Sequence, residues 1–245
     1  MPELTSLLDT YALRARLFPA LLVILPVGIA LGLLLPTLDY QKVIVAGAVS
    51  AGVPIFMANA VRGRGKRLED KLVEQWDGMP TTRMLRLREP SNDRPGLARR
   101  RQRLEKVTEV KMPTPAQEEA DPVETDHTYV LATRALIARV RETKDRYALV
   151  QHENVDYGFR RNLIAVKPLG LGLLVVLFAV DAVAAFLTAD PTSVAVALVV
   201  HLGFVAGWLI GVRRRWVREQ ADSYAKTLFE SLEDPTLLKP SKETT

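Results

Sequence analysis

Cysteine is absent from the 245-residue chain. That excludes a disulfide framework, thiolate metal sites and a cysteine nucleophile, and it leaves the redox compartment undetermined. Histidine is scarce, with three in all. His127 and His152 stand alone, and His152-Glu153 lacks the second histidine of a zinc-protease helix. Phosphate loops are missing too. Gly63-Arg64-Gly65-Lys66 has neither the upstream glycine nor the following hydroxyl residue of a P-loop, and no Rossmann glycine pattern occurs. With no catalytic constellation, no metal-ligand cluster and no cofactor fingerprint, the sequence predicts a non-enzymatic protein that carries no cofactor.

The net charge of +5 is modest, and a mean hydropathy of +0.07 would suit a soluble chain. The averages conceal two populations. Apolar residues gather in regions 17–61 and 169–212, and charges crowd between and after them. In the second region two apolar runs are separated only by Thr188-Ala189-Asp190-Pro191-Thr192. The first divides at 36–42 into runs 17–35 and 43–61. A helix rises about 1.5 Å per residue, so about 20 apolar residues cover a hydrocarbon core of about 30 Å. The expected fold is therefore all-α: an integral membrane protein of two transmembrane helical hairpins, four spans, with a helical module between them. A cleaved signal peptide is not expected, because the first run is long, has no small-residue cleavage site after Leu35 and continues through Pro36.

The basic residues fix a topology. Arg14 and Arg16 precede the first run; Arg62, Arg64, Lys66 and Arg67 follow the second. Arg160, Arg161 and Lys167 precede the third, and Arg213, Arg214, Arg215 and Arg218 follow the fourth, whereas the two short turns hold only Lys42. Under the positive-inside rule both termini and the middle segment are cytoplasmic, with the arginines against anionic headgroups of the bilayer.

In chain order, residues 1–16 suit a cytoplasmic interfacial helix. The first hairpin spans 17–61; Pro26 is expected to bend its first helix, and Gly28 and Gly32 give a small-residue pair for close helix packing. The cytoplasmic module covers 62–168. Leu68, Leu72 and Trp76 recur four apart on an amphipathic continuation of the second span, which Gly78 and Pro80 end, with a new start capped by threonine in Trp76-Asp77-Gly78-Met79-Pro80-Thr81-Thr82-Arg83. The arginines of 97–110 could meet phosphate, but no aromatic residues interleave them for base stacking, which argues against nucleic acid. Residues 112–124, with three prolines and four acidic residues, suggest a flexible linker. Tyr129, Ala132, Thr133, Leu136, Ile137, Val140, Lys144 and Tyr147 then form the stripe of a long helix. It is expected to end at Tyr157-Gly158-Phe159 and to pack against the helix ending at Trp76. After the second hairpin, 169–212, the segment 213–245 carries a last stripe of Val217, Ala221, Tyr224, Leu228 and Leu232 and a disordered tail of about a dozen residues.

Trp76, Tyr157, Phe159, Arg160 and Arg161 suit the headgroup layer, as an interfacial anchor or as a coupling element that passes movement of the cytoplasmic helices to the third span. Asp181 and His201 lie about nine and eleven residues from the Asp190-Pro191 turn, at similar depth in the second hairpin. Ionisable groups in hydrocarbon need a partner or water, so the two suit either an interhelical hydrogen bond or a proton or ion path. Gly203, Gly207 and Gly211 make a ridge for close helix contact, within the chain or with another subunit.

The segments Trp76-Asp77-Gly78-Met79-Pro80-Thr81-Thr82-Arg83 and Tyr157-Gly158-Phe159-Arg160-Arg161-Asn162-Leu163, placed around two hairpins, resemble those of a group of uncharacterised bacterial four-span membrane proteins. The resemblance implies a bacterial inner-membrane location and transfers no activity, ligand or functional residue. The expected function is a homo-oligomeric sensor, scaffold or membrane-acting effector whose cytoplasmic module answers a protein or small-molecule regulator. The alternative is a small channel or transporter using Asp181 and His201.

Overall fold

A computed structural model describes residues 11, 13–34, 40–143, 145–187 and 190–238, with the backbone alone described at 34, over 40–57 and at 238. Every regular element among them is helical. A π-helical turn, Leu13–Leu17, leads into α1, Phe18–Leu34; α2 is Tyr40–Gln75, α3 Pro80–Arg83, α4 Arg94–Thr108, α5 Pro115–Ala120 and α6 Pro122–Glu142. Then come α7, Ala148–Leu187, and α8, Pro191–Ala206, which ends in a second π-helical turn, Gly207–Gly211; α9 is Arg214–Glu230, followed by two short 3-10 turns. The chain forms two compact units, one of residues 1–70 and 155–217, the other of 71–154 and 218–245. The three crossings between them fall inside α2, α7 and α9.

Among the described residues three segments are long and apolar enough to cross a membrane: Leu13–Leu33, Ala148–Leu187 and Pro191–Gly211. The fourth expected run, 43–61, is helical in its backbone within α2, but most of its side chains lie outside the described residues. The apolar residues are not confined to an interior. Ala20, Val23, Leu174 and Trp208 are buried, yet Phe186 is 90% exposed and Val175 and Val199 are 69% exposed. A helix that is apolar all round cannot be satisfied by a one-sided core in water; it suits a lipid solvent.

α7 runs unbroken through Gly158 and Pro168, so the expected stop at Tyr157-Gly158-Phe159 is corrected. The break instead lies between α6 and α7, where Tyr147 Oη donates to Asp234 Oδ2 at 3.0 Å and Arg146 pairs with the same carboxylate. A contact 87 residues away in sequence is invisible to local periodicity.

The second unit has its own core. Leu85, Leu104, Tyr129, Leu136 and Val140 meet Tyr224, Leu228 and Leu232 of the last helical stretch. The stripe of α6 is buried as its spacing predicts, apart from half-buried Ile137 and from Lys144, which lies outside the described residues. All five residues of the C-terminal stripe are also buried. Thus 218–238 belongs with the central module, and Leu237, in a segment expected to be disordered, is part of its core. The wall opposite α6 comes from α4 and α9, while Trp76 lies under the Arg218 guanidinium at 4.9 Å. The expected linker is also helical: Thr114 closes a capping box with Gln117, and Asp121 caps α6 by accepting from Val123 N and Glu124 N.

Candidate functional site

Pro191 stands at the first turn of α8, where its missing N–H costs nothing, and Asp190 caps that turn by accepting from Thr192 N and Ser193 N. The connection from α7 is short. It brings Asp181 of α7 to His201 of α8, with Asp181 Oδ2 and His201 Nδ1 2.6 Å apart and both side chains fully buried. The edge of the Phe178 ring closes over the imidazole at 6.0 Å. Similar depth, read from the distances to the turn, has become direct contact. Asp181 Oδ1 and His201 Nε2 are buried with no hydrogen-bond partner among the described residues.

A second constellation surrounds the segment 157–162. Tyr157 Oη donates to Glu69 Oε1 at 2.8 Å, and Arg161 Nη1 donates to Glu69 Oε2 at 2.7 Å. Phe159 meets Trp216 edge to face, and the Arg160 guanidinium lies 4.6 Å over the same indole. Asn162 Nδ2 donates to Ala15 O at 2.6 Å. Pro19 explains that bond, because it has no N–H to give the carbonyl four residues before it. Gly158 packs where a Cβ would stand 3.1 Å from Ala15 Cβ, and at Gly65 a Cβ would fall onto the Asn162 amide. Every side chain from 157 to 162 that sequence reasoning singled out therefore has a partner. Those were Tyr157, Phe159, Arg160 and Arg161; it passed over Asn162, Glu69 and Gly65, whose pairing is long-range.

The glycines behave otherwise than their motif suggests. Gly28, Gly32, Gly203, Gly207 and Gly211 face outward, with no described atom within 4 Å of where a Cβ would stand. The tight approach is at Gly170, where a Cβ would stand 2.7 Å from the Trp208 indole. Beside the Gly203 and Gly207 ridge runs an apolar groove of about 460 Å³ between Leu22, Phe204 and Trp208.

In the second unit the charges serve one another. Arg86, almost fully buried, donates to both oxygens of Asp126 at 3.0 and 2.6 Å and to Asp77 at 2.7 Å. Asp77 and Gly78 turn the chain with φ of 53° and 103°. The expected threonine cap is corrected: Met79 occupies the cap position of α3 without a side-chain bond, and Thr81 and Thr82 are buried. Glu118, held by α5, accepts from Leu87 N, Arg88 N and Arg88 Nη1, each at 3.0 Å, and from Tyr129 Oη at 2.5 Å. Burial alone would raise the Glu118 carboxyl, but these donors outweigh it and hold the group below the usual carboxylate range. Burial and the hydrogen bond to the Glu118 carboxylate push the Tyr129 phenol up to about 12.

Arg101 donates to Tyr129 Oη at 2.6 Å, to Leu85 O at 2.8 Å and to Pro113 O. Arg99 and Arg103 pair with Glu233, and Arg100 donates to Met84 O. Most of the arginines that could have met phosphate are thus tied into the fold. Arg88, Arg94, Arg101 and Glu118 line an open cavity of about 870 Å³. Among the described residues no cluster of three histidine or acidic side chains could hold a metal ion. No protein-family model, curated protein or solved structure matches this chain.

Proposed function

We propose that the chain is a four-span, non-enzymatic protein of the bacterial inner membrane. Its two transmembrane hairpins carry a cytoplasmic helical module that regulates them, in the manner of a sensor, scaffold or membrane-acting effector. The observation that carries this reading is the division of the chain. One unit exposes valine, leucine and phenylalanine around apolar helices, and the other has a separate core and a charged surface. The apolar part of α7 from 168 to 187 is about 20 residues, or about 30 Å, which matches a hydrocarbon core. Exposed Arg14, Arg62, Arg64, Arg213, Arg214 and Arg215 flank the apolar segments, and the positive-inside rule then favours a cytoplasmic side for both termini and the module. The resemblance of the 76–83 and 157–163 segments to bacterial membrane proteins agrees with that location.

The open ridge of Gly203, Gly207 and Gly211 supports a homo-oligomer, since small residues facing outward let a second helix approach closely. Crosslinking in membranes tests it: Gly207→Leu should abolish the oligomer band, and an undiminished band would remove the ridge from the interface.

A second reading, a small channel or transporter, is favoured by one observation, the buried Asp181–His201 pair with a bare polar atom at each end. Reconstitution into vesicles separates the two readings. Ion flux that appears only with cytosolic extract supports the regulated effector, and steady flux from the purified protein alone supports the channel.

A further inference from the structure

We propose that Asp181 and His201 form a binding site for one exchangeable proton within the membrane unit. The inference rests on the reading of α7 and α8 as membrane spans, and it names the ion for the second reading above. The argument begins with the 2.6 Å separation of Asp181 Oδ2 and His201 Nδ1. Metal ions sit about 2.0–2.6 Å from each ligand atom, so a cation bridging these two would force them apart. A shared proton fits the gap as it stands.

Proton counting assigns the two remaining atoms. When the imidazole is protonated at both nitrogens and the carboxylate is ionised, the pair is neutral overall, Nδ1–H donates to Oδ2, and Nε2–H points away from the pair. Loss of a proton from Nε2 to a water molecule leaves neutral histidine still donating through Nδ1, and a net charge of −1 on the pair. Uptake reverses the step. One proton is exchanged, no bond between heavy atoms changes, and the Nδ1–Oδ2 hydrogen bond survives both states. His201 Nε2 is therefore the exchange point, and Asp181 Oδ1 is a further acceptor for water. These two atoms are the ones buried without a described partner. A carboxylate–imidazole bond serving structure alone would leave its outer atoms packed against carbon at the cost of two unmet hydrogen bonds.

The neighbouring helices bring few other ionisable residues near the pair. α1, which packs against α8, has no titratable residue between Phe18 and Leu34. On α7 the nearest charged residue is Lys167, fourteen residues or about 21 Å along the helix, and it donates to Val212 O. Asp190, at the start of α8, is engaged in capping, and α2 contributes Tyr40 and Lys42, whose side chains lie outside the described residues.

The chain's three histidines make the test direct. The full-length protein is labelled with ¹⁵N-histidine and reconstituted in phosphatidylethanolamine–phosphatidylglycerol vesicles. Its imidazole signals are followed by solid-state NMR from pH 5 to 9. Exposed His127 and His152 serve as internal controls, and His201→Gln assigns the third signal. Reversible interconversion of two protonation states at His201 is expected, with Asp181→Asn displacing its midpoint by at least one pH unit while the other two histidines stay unchanged. A His201 signal constant across the range, or indifferent to Asp181→Asn, would overturn the proposal. Should Asp181→Asn fail to fold, Asp181→Glu, which keeps the charge and moves it by one methylene, must displace the midpoint instead. Flotation of the same vesicles keeps the two claims apart. Protein that fails to float removes the span reading itself, whereas floating protein with an inert His201 removes only the proton site.

Discussion

Glu118 gathers four donors from three residues onto one buried carboxylate. Replacing it with glutamine removes the charge but keeps the volume, so the lost charge-assisted bonds should destabilise the second unit by about 2–4 kcal/mol. Its titration also sets a pH dependence. Arg83 holds Glu89 below the usual carboxylate range, and Arg146 holds Asp234 below it. Each of the three carboxylates binds its proton less readily in the folded chain than in the unfolded one. The stability they supply is complete above the ordinary carboxylate value of about 4 and is lost as pH falls through their lowered values. The melting temperature in detergent should hold from pH 7 to 5 and drop steeply below about pH 4, with a shallower drop in Glu118→Gln. A level profile down to pH 3 would contradict this. In the first unit, His201→Leu leaves the Asp181 carboxylate buried alone and should cost about 3–5 kcal/mol, whereas adding Asp181→Leu should restore much of that loss. Melting of the single and double variants measures the difference.

At the level of elements, close approach is set by contacts rather than by motif. Gly170→Ala pushes a methyl into the Trp208 indole and should cost about 1–3 kcal/mol, while Gly172→Ala, with no described atom within 4 Å of its Cβ position, should stay within about 0.5 kcal/mol of the native chain. The reverse order in thermal melting would disprove the packing described. Asp121→Ala removes the cap of α6 and should cost about 1 kcal/mol.

These elements also mark what a sequence reveals. Helical spacing exposed the buried stripes of α6 and α9, because 3.6-residue periodicity is a local property. Comparable distances from the Asp190-Pro191 turn put Asp181 and His201 at similar depth, since a short connection fixes relative depth, and the structure brings them into contact. Composition misled at 112–124, where proline and acid suggested a linker although Thr114-Pro115-Ala116-Gln117 and Asp121-Pro122 carry capped helix starts. The unbroken course of α7 through Gly158, and the Asn162 bond to a carbonyl deprived by Pro19, depend on partners more than 80 residues away. No local pattern encodes them.

Across the whole molecule, the lack of native cysteine permits the most direct test of the central claim, a four-span protein whose module and termini are cytoplasmic. Single cysteines are introduced at two exposed positions, Lys111→Cys in the second unit and Thr192→Cys at the start of α8. Cells expressing each variant are exposed to a membrane-impermeant maleimide, first with only the outer barrier opened and then with the inner membrane permeabilised as well. The four-span topology predicts labelling at position 192 in cells whose outer barrier alone is opened, and labelling at 111 only after the inner membrane is permeabilised. Labelling at 111 before permeabilisation, or at 192 only after it, would contradict the account.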